Sequence, residues 1–245
     1  MYGLLGKNIS YSFSKQFFTE KFKRKNLPFK YQNIDVATIG DFLDFLANHI
    51  EQLKGFNVTI PYKEAIFNFL DEIDEDAQQI GAVNCVKIID NHYLKGYNTD
   101  FYGFITSLKP LLKKHHSKAL ILGTGGASKA VSYALKKLNI DFLIVSRNPL
   151  EGEISYENLD AKLMEEFTLI INTTPLGTKG KLEDNCPIIP YEFLTKKHLL
   201  YDLIYNPSQT IFLKNGALKG SQTKNGLEML ELQAEKSWKI WSEDY

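Results

Sequence analysis

Cysteine is scarce in this 245-residue chain: only Cys85 and Cys186 occur, far apart in sequence. They make no C-x-x-C pair, which excludes a disulfide scaffold and a thiolate zinc site and suits a reducing cytoplasm. Net charge is also lacking, since 29 Lys and Arg balance 29 Asp and Glu. No global field draws the chain to nucleic acid or to an anionic membrane, and neither is expected as a partner. No apolar run approaches the roughly 18 residues of a membrane span. The first residues enter structure at once without a signal-peptide pattern, so a cytoplasmic protein is expected. The five His have no ligand spacing, and no metal is expected. His115-His116 reads as a helix end. The charged runs at 21–25 and 70–79 read as solvated helix faces. No internal repeat or low-complexity linker is present.

What the chain does have is alternation of strand-like and helix-like segments. YGLLG, YQNIDV and FNVTI read as strands, and KQFFTEKFKRKN and IGDFLDFLANH as amphipathic helices between them. Pro61 opens a further helix over 61–70, and VNCVKIID and HYLKGYN form a hairpin across an Asp-Asn turn. This half is expected to be a mixed sheet with helices on its faces. A helix over 100–112 leads to a second half whose apolar runs (118–122, 141–146, 168–174, 198–205) alternate with helices, the pattern of a doubly wound parallel sheet. A last helix, 226–241, carries Leu227, Leu230, Ala234, Trp238 and Trp241 at spacings that predict one buried face, with both Trp as core anchors.

The segment with the most chemical content is 118–135. An apolar strand ends in Gly123-Thr124-Gly125-Gly126-Ala127 and passes directly into a helical pattern. Such a turn lets backbone N–H groups approach a pyrophosphate, and the helix dipole favours the anion. The third position of the strict G-x-G-x-x-G form is Ser128 rather than Gly. The next strand ends in Ser146-Arg147-Asn148, where an NAD-binding unit places an acid. Arg147 can pair instead with a 2′-phosphate, so NADP is the expected cofactor.

Other residues invite more than one reading. Ser12 and Ser14 face the same way if their segment is extended and could hold a carboxylate; alternatively Ser14 is only a helix N-cap. Lys63 falls in the first turn of the expected 61–70 helix, where the dipole favours the neutral amine useful in proton transfer; otherwise it is an exposed lysine on a short helix. Asn84 lies in the apolar run AVNCV, where a buried amide must find partners in backbone or ligand. Asp100 is either an N-cap or, beside a lysine, one half of an acid–base pair.

Taken in order, these motifs resemble the shikimate dehydrogenase family over almost the whole chain. Ser12-Phe13-Ser14 is similar to the family's paired serines. Residues 57–63 (NVTIPYK) match N-V-T-x-P-[FY]-K, 81–84 match G-A-V-N, and 98–100 match N-T-D. Residues 123–127 and 146–148 are similar to G-A-G-G-A and N-R-T, and 172–177 (NTTPLG), 201–207 (YDLIYNP), 225–227 (NGL) and Gln233-Ala234 complete the series.

The resemblance implies an N-terminal α/β substrate domain with a mixed sheet (1–100, with 226–245 packing back) and a C-terminal Rossmann domain (101–225). It implies reversible NADPH-dependent reduction of 3-dehydroshikimate to shikimate, with the small-molecule substrate in the cleft between the domains. Lys63 and Asp100 would be catalytic. Ser12 and Ser14 would hold the carboxylate with Tyr205 nearby, and Thr59, Asn84 and Gln233 would read the hydroxyls. Gly123, Thr124, Gly125, Gly126, Ala127, Ser146, Arg147 and Asn148 would bind the cofactor, together with Thr173, Leu203 and Gly226. Self-association as a homodimer is left open.

The chain departs from the family pattern at Tyr11 and Lys15 around the serines, at Tyr97 and Phe101 around N-T-D, and at Thr124, Ser146 and Thr178. None of these removes a proposed catalytic group. The alternatives are a quinate/shikimate dehydrogenase of broader specificity and a silent nucleotide sensor. A methylene-folate dehydrogenase shares the architecture but leaves the paired serines and N-T-D unexplained.

Overall fold

A computed structural model describes residues 1–10 and 12–242. Tyr11, one of the departures above, and residues 243–245 of the expected C-terminal segment lie outside the described residues. The chain divides into two compact units, Met1–Thr99 with the stretch from Gln233 onward, and Asp100–Leu232.

Unit 1 runs β1 (Tyr2–Gly6), α1 (Phe13–Arg24), β2 (Tyr31–Asp35), α2 (Ile39–His49), β3 (Gly55–Val58), β4 (Glu72–Ile73), α3 (Glu75–Ile80), β5 (Cys85–Ile89) and β6 (Tyr93–Tyr97). Its sheet has the order β2-β1-β3-β5-β6-β4. β1 is parallel to β2 and β3, and β5 is antiparallel to β3 and β6, so the expected mixed sheet is present. Alternation along β1 serves both faces, because side chains of a strand point to opposite sides. Leu5 joins Phe42, Leu46, Phe56 and Ile66 on one side. Tyr2 and Leu4 join Phe18, Phe22, Tyr31 and Trp241 on the other. Asp90 and Asn91, both at positive φ (51° and 60°), make the β5–β6 turn, a conformation that short polar side chains tolerate.

Unit 2 runs α4 (Asp100–Leu108), β7 (Lys118–Leu122), α5 (Gly126–Lys137), β8 (Asp141–Ser146), β9 (Glu153–Ser155), α6 (Ala161–Glu166), β10 (Leu169–Asn172), β11 (Leu199–Asp202), α7 (Ile211–Leu218) and β12 (Gln222–Lys224). All pairings are parallel in the order β12-β11-β10-β7-β8-β9. This is the doubly wound order, with its switch point between β7 and β10. Both faces are covered. Ala119, Ile121, Leu169 and Tyr201 pack with Phe104, Val131 and Ala134, and Leu120, Leu122, Ile170 and Leu200 pack with Met164, Phe212 and Leu213. Double coverage explains why these strands read as continuous apolar runs.

The last helix, α8 (Leu227–Ser242), begins in unit 2, and the second unit boundary falls within it, between Leu232 and Gln233. Its buried face is Met229, Gln233, Ala234, Ser237, Ile240 and Trp241, while Leu227 is exposed. The expected stripe is therefore rotated: two buried polar residues, Gln233 and Ser237, take positions that an apolar pattern assigns elsewhere. Trp241 is a core anchor, stacked on Tyr2 with ring centroids 4.8 Å apart and donating to the Val86 carbonyl at 2.9 Å.

Three further expectations are corrected. No α-helix spans 61–70; the chain turns through 60–64 and forms only a short 3-10 helix, Ala65–Phe69. The helix after Asp100 ends at Leu108, because Pro110 sits in a 3-10 turn, Lys109–Leu111, and has no N–H to extend the α-helix. In the 21–25 run, Lys21 is buried rather than solvated, paired with Glu235 of α8 and lying over the rings of Phe17 and Trp238.

Candidate active site

In unit 1 the sequence candidates gather at the carboxyl ends of β1 and β3 and around the chain leading into and out of the β5–β6 hairpin. Ser12 is extended (φ −107°, ψ 119°) and is the N-cap of α1, its Oγ accepting from the Lys15 N–H at 3.2 Å. Ser14 lies in the first turn of α1. The shared extended segment expected for the two serines is thus absent, and the cap is Ser12 rather than Ser14. The cap bond uses an oxygen lone pair and leaves the Ser12 hydroxyl proton to donate. The first turn of this 12-residue helix carries no acid, so its dipole is directed at any anion held there.

Thr59 follows β3, with its N–H on the Leu5 carbonyl at 2.9 Å. A Cβ on Gly6 would fall 2.6 Å from Thr59 Cγ2, so only glycine lets the Thr59 side chain lie across β1. Lys63 is half-buried, and its carbonyl accepts from the Val83 N–H at 2.8 Å. That bond ties the lysine's backbone to the residue before Asn84. The helix dipole invoked for Lys63 is not there, because no α-helix begins at Pro61.

Asn84 is buried, and its amide finds partners at Thr99. Its Oδ1 accepts from the Thr99 N–H at 2.6 Å, and its Nδ2 donates to Thr99 Oγ1 at 3.0 Å. Thr99 Oγ1 also lies 3.3 Å from Gln233 Oε1 and 3.2 Å from Ser237 Oγ. Asn57 extends this network, donating from Nδ2 to the Asn84 carbonyl (3.1 Å) and to Ser237 Oγ (2.9 Å) and accepting from the Tyr31 hydroxyl (2.9 Å). Burial pushes the Tyr31 phenol well up, an effect that a hydrogen bond from Ser14 opposes. A continuous buried network thus runs from Tyr31 through Asn57 and Ser237 to Thr99, Asn84 and Gln233.

Sequence reasoning passed over Tyr31, Asn57 and Ser237 as site-forming residues. The only available signal for Ser237 was its place one helical turn after Gln233. Asp100, buried and the first residue of α4 in unit 2, follows Thr99 directly in the chain.

In unit 2 the glycine turn leaves the carboxyl end of β7 at the switch point. Gly123 has φ +106°, and no side chain caps α5 at Gly125. A Cβ on Gly125 or Gly126 would meet nothing within 4 Å. Thr124 and Gly125 are exposed, and Gly126 and Ala127 are half-buried. Ser128, in place of the third glycine, is buried and donates to the Gly125 carbonyl within its own turn at 2.6 Å. Open backbone, an uncapped helix start and no acid in the first turn fit a pyrophosphate.

At the end of neighbouring β8, Ser146 is buried and accepts from the Asn148 N–H at 3.2 Å, while Arg147 and Asn148 are exposed. Thr173 is half-buried and donates to the Leu122 carbonyl at 2.8 Å. Gly226 has a packing reason of its own, since a Cβ there would fall 2.0 Å from the Leu203 carbonyl oxygen. Tyr205 is half-buried in unit 2, and its phenol is pushed up by burial. Among the described residues no group of His, Cys, Asp or Glu could hold a metal, and no helix is long and apolar enough to cross a membrane.

Residues 4–86 match the family model described as shikimate dehydrogenase substrate binding domain. A shikimate dehydrogenase (NADP(+)) of Clostridium botulinum is 40% identical, covering 98% of this chain and 95% of that protein. The crystal structure of shikimate dehydrogenase from Aquifex aeolicus superposes with a TM-score of 0.88 at 32% identity, over 99% of this chain and 92% of that one. The Thermus thermophilus enzyme, solved with NADP(H) and shikimate, gives a TM-score of 0.84 at 29% identity, over 99% and 93% of the two chains. With a mixed-sheet unit, a doubly wound parallel unit and a relative 40% identical over nearly its full length, the chain belongs to the shikimate dehydrogenase family.

Proposed function

We propose that this protein is an NADP-dependent shikimate dehydrogenase, reducing 3-dehydroshikimate reversibly to shikimate. The observation that carries the reading is the buried network on Thr99, which gathers Asn84 and Gln233 where the backbone of Lys63 is tied to Val83. A polyhydroxylated ring needs fixed amide groups to read its hydroxyls, and a network of this kind fixes them before the ligand arrives.

Unit 1 is the substrate domain in this reading and unit 2 the cofactor domain. Ser12 donates to the substrate carboxylate at the start of α1, with Ser14 beside it and Tyr205 as a further contact. Thr59, Asn84 and Gln233 bond the ring hydroxyls. Gly123 to Ala127 receive the pyrophosphate, Arg147 pairs with the 2′-phosphate between Ser146 and Asn148, and Thr173, Leu203 and Gly226 complete the cofactor site. Bound NADPH supplies the hydride. Lys63 gives a proton to the carbonyl oxygen as it becomes a hydroxyl, and takes it back in the reverse direction. Asp100 orients the ammonium and offsets its charge. Both cysteines are free thiols, which suits the cytoplasm; a homodimer is the assembly to examine by light scattering.

The test is formation of reduced nicotinamide from shikimate or quinate with NADP⁺ or NAD⁺. Turnover with shikimate and NADP⁺ well above the other three combinations is expected, and Arg147→Ala should erode the preference for NADP⁺. Comparable turnover of quinate would move the protein to the broader-specificity branch. Silence in all four combinations with NADPH still bound would leave a nucleotide sensor.

A further inference from the structure

At the carboxyl edge of the parallel sheet, Asn172 and Asp202 are register partners on β10 and β11, both without exposed surface. Neither has a role in the reaction described above. Asp202 Oδ1 accepts from Asn172 Nδ2 at 3.0 Å and from the Ile204 N–H at 3.1 Å, and Oδ2 accepts from the Thr210 hydroxyl at 2.5 Å. Asn172 Oδ1 in turn accepts from the Thr174 N–H (3.0 Å) and the Thr174 hydroxyl (2.7 Å), while its Nδ2 reaches the Leu176 carbonyl at 3.3 Å. One carboxylate and one amide therefore anchor two loops, 173–177 and 203–210.

The two loops and the glycine turn lie side by side, with no room for a side chain at the glycines between them. A Cβ on Gly177 would lie 3.2 Å from Cβ and Cγ2 of Thr210. At the far end of the same loop, a Cβ on Gly123 would lie 2.9 Å from Thr174 Cγ2, and the Thr173 hydroxyl is bonded to the Leu122 carbonyl at 2.8 Å. Segments packed so that neither glycine has room for a methyl move together, because close-packed interiors have no slack to absorb displacement. The line from Asp202 to the glycine turn runs through Thr210 and Gly177 to Thr174 and Gly123. The carboxyl is pushed up to about 6 by burial, against the pull of its three hydrogen-bond donors. Such a group is a costly way to fill space, whereas fixing two loops with one side chain engages both of its oxygens.

We propose that Asp202, with Asn172 and Thr210, is a positioning clasp that sets the glycine turn and the 173–177 loop for the dinucleotide. The inference rests on unit 2 being the NADP-binding unit. Asp202 acts through other residues, so its signature is a loss of affinity for the cofactor alone that exceeds any change in KM for shikimate, to which the 203–210 loop contributes only through Tyr205.

The test uses the full chain with Asp202→Ala, Asp202→Asn, Thr210→Val and Thr210→Ser. NADPH affinity is measured by nucleotide fluorescence without substrate, beside KM for shikimate at saturating NADP⁺ and the thermal midpoint. Asp202→Ala and Thr210→Val should weaken NADPH by about tenfold or more, the scale expected when a binding loop is misplaced, with a smaller change in KM for shikimate. Asp202→Asn should recover most of the affinity, because its carboxamide oxygen keeps the Asn172 and Ile204 bonds and its amino group can donate to Thr210 Oγ1. Thr210→Ser should match the parent. A lowered thermal midpoint with unchanged NADPH affinity in folded Asp202→Ala or Thr210→Val would overturn the clasp. Should Asp202→Ala not fold, Thr210→Val decides. A parent chain that binds no NADPH would overturn the cofactor assignment of unit 2 and the clasp with it.

Discussion

Lys63 is a candidate that the sequence singles out through an argument that the fold does not support. Its expected first-turn position on a helix disappears, since only a 3-10 segment from Ala65 follows. What holds the lysine is its carbonyl on the Val83 N–H, a bond between segments remote in sequence that no local pattern reveals. Removing the amine while keeping the stem, in Lys63→Met, should lower turnover by about 10²–10⁴-fold, the range of a general acid–base group. The change should leave NADPH affinity in place; stopped-flow hydride transfer would measure it, and near-normal rates would dismiss the assignment. Asn84 was legible because an amide in an apolar run must be buried and bonded. Ser237 and Tyr31 were not, since a serine on a helix and a tyrosine opening a strand carry no mark of the network they join.

Elements were legible where the local pattern and the burial agree. Strand β7, the glycine turn and α5 fall where the apolar run, the glycines and the helical period place them. Edge strands β9 and β12, only three residues each, give no period to read. The face of α8 was misjudged because Gln233 and Ser237 are buried polar residues. The start of that helix is fixed by Gly226, and Gly226→Ala would force a methyl against the Leu203 carbonyl. We expect a loss of about 3 kcal/mol or more, at the upper end for overpacking, because backbone rather than a flexible side chain stands in the way. Urea denaturation would measure it, and a loss under about 1 kcal/mol would mean that the start of α8 yields easily.

At the scale of the molecule, the parallel unit was the easier half to read, since strands covered on both faces announce themselves as apolar runs. The mixed sheet required long-range pairings such as β4 with β6 that periodicity does not encode. The parallel unit also holds a response to acid. His116 is buried, accepts from the Lys113 N–H at Nδ1 (3.1 Å) and has Nε2 3.0 Å from the Lys197 carbonyl, the arrangement of a neutral ring donating from Nε2. Burial chiefly lowers its proton affinity, so the folded state disfavours the charged ring. Its contribution to stability is complete above the ordinary His value of about 6.5 and is lost as pH falls below it. Asp202, raised to about 6, adds stability as pH falls over the same range, so the ring is read by difference: between pH 7.5 and 5.5 the parent's urea midpoint should fall relative to that of His116→Asn, and equal slopes would exclude the ring.

Both tryptophans of the chain, Trp238 and Trp241, sit on α8 within the aromatic cluster of unit 1. The protein thus carries a native optical probe confined to one of its two units, and intrinsic emission would follow the melting of that unit by itself. A probe of the parallel unit has to be introduced, and disagreement between the two signals on heating would measure how far the halves unfold independently.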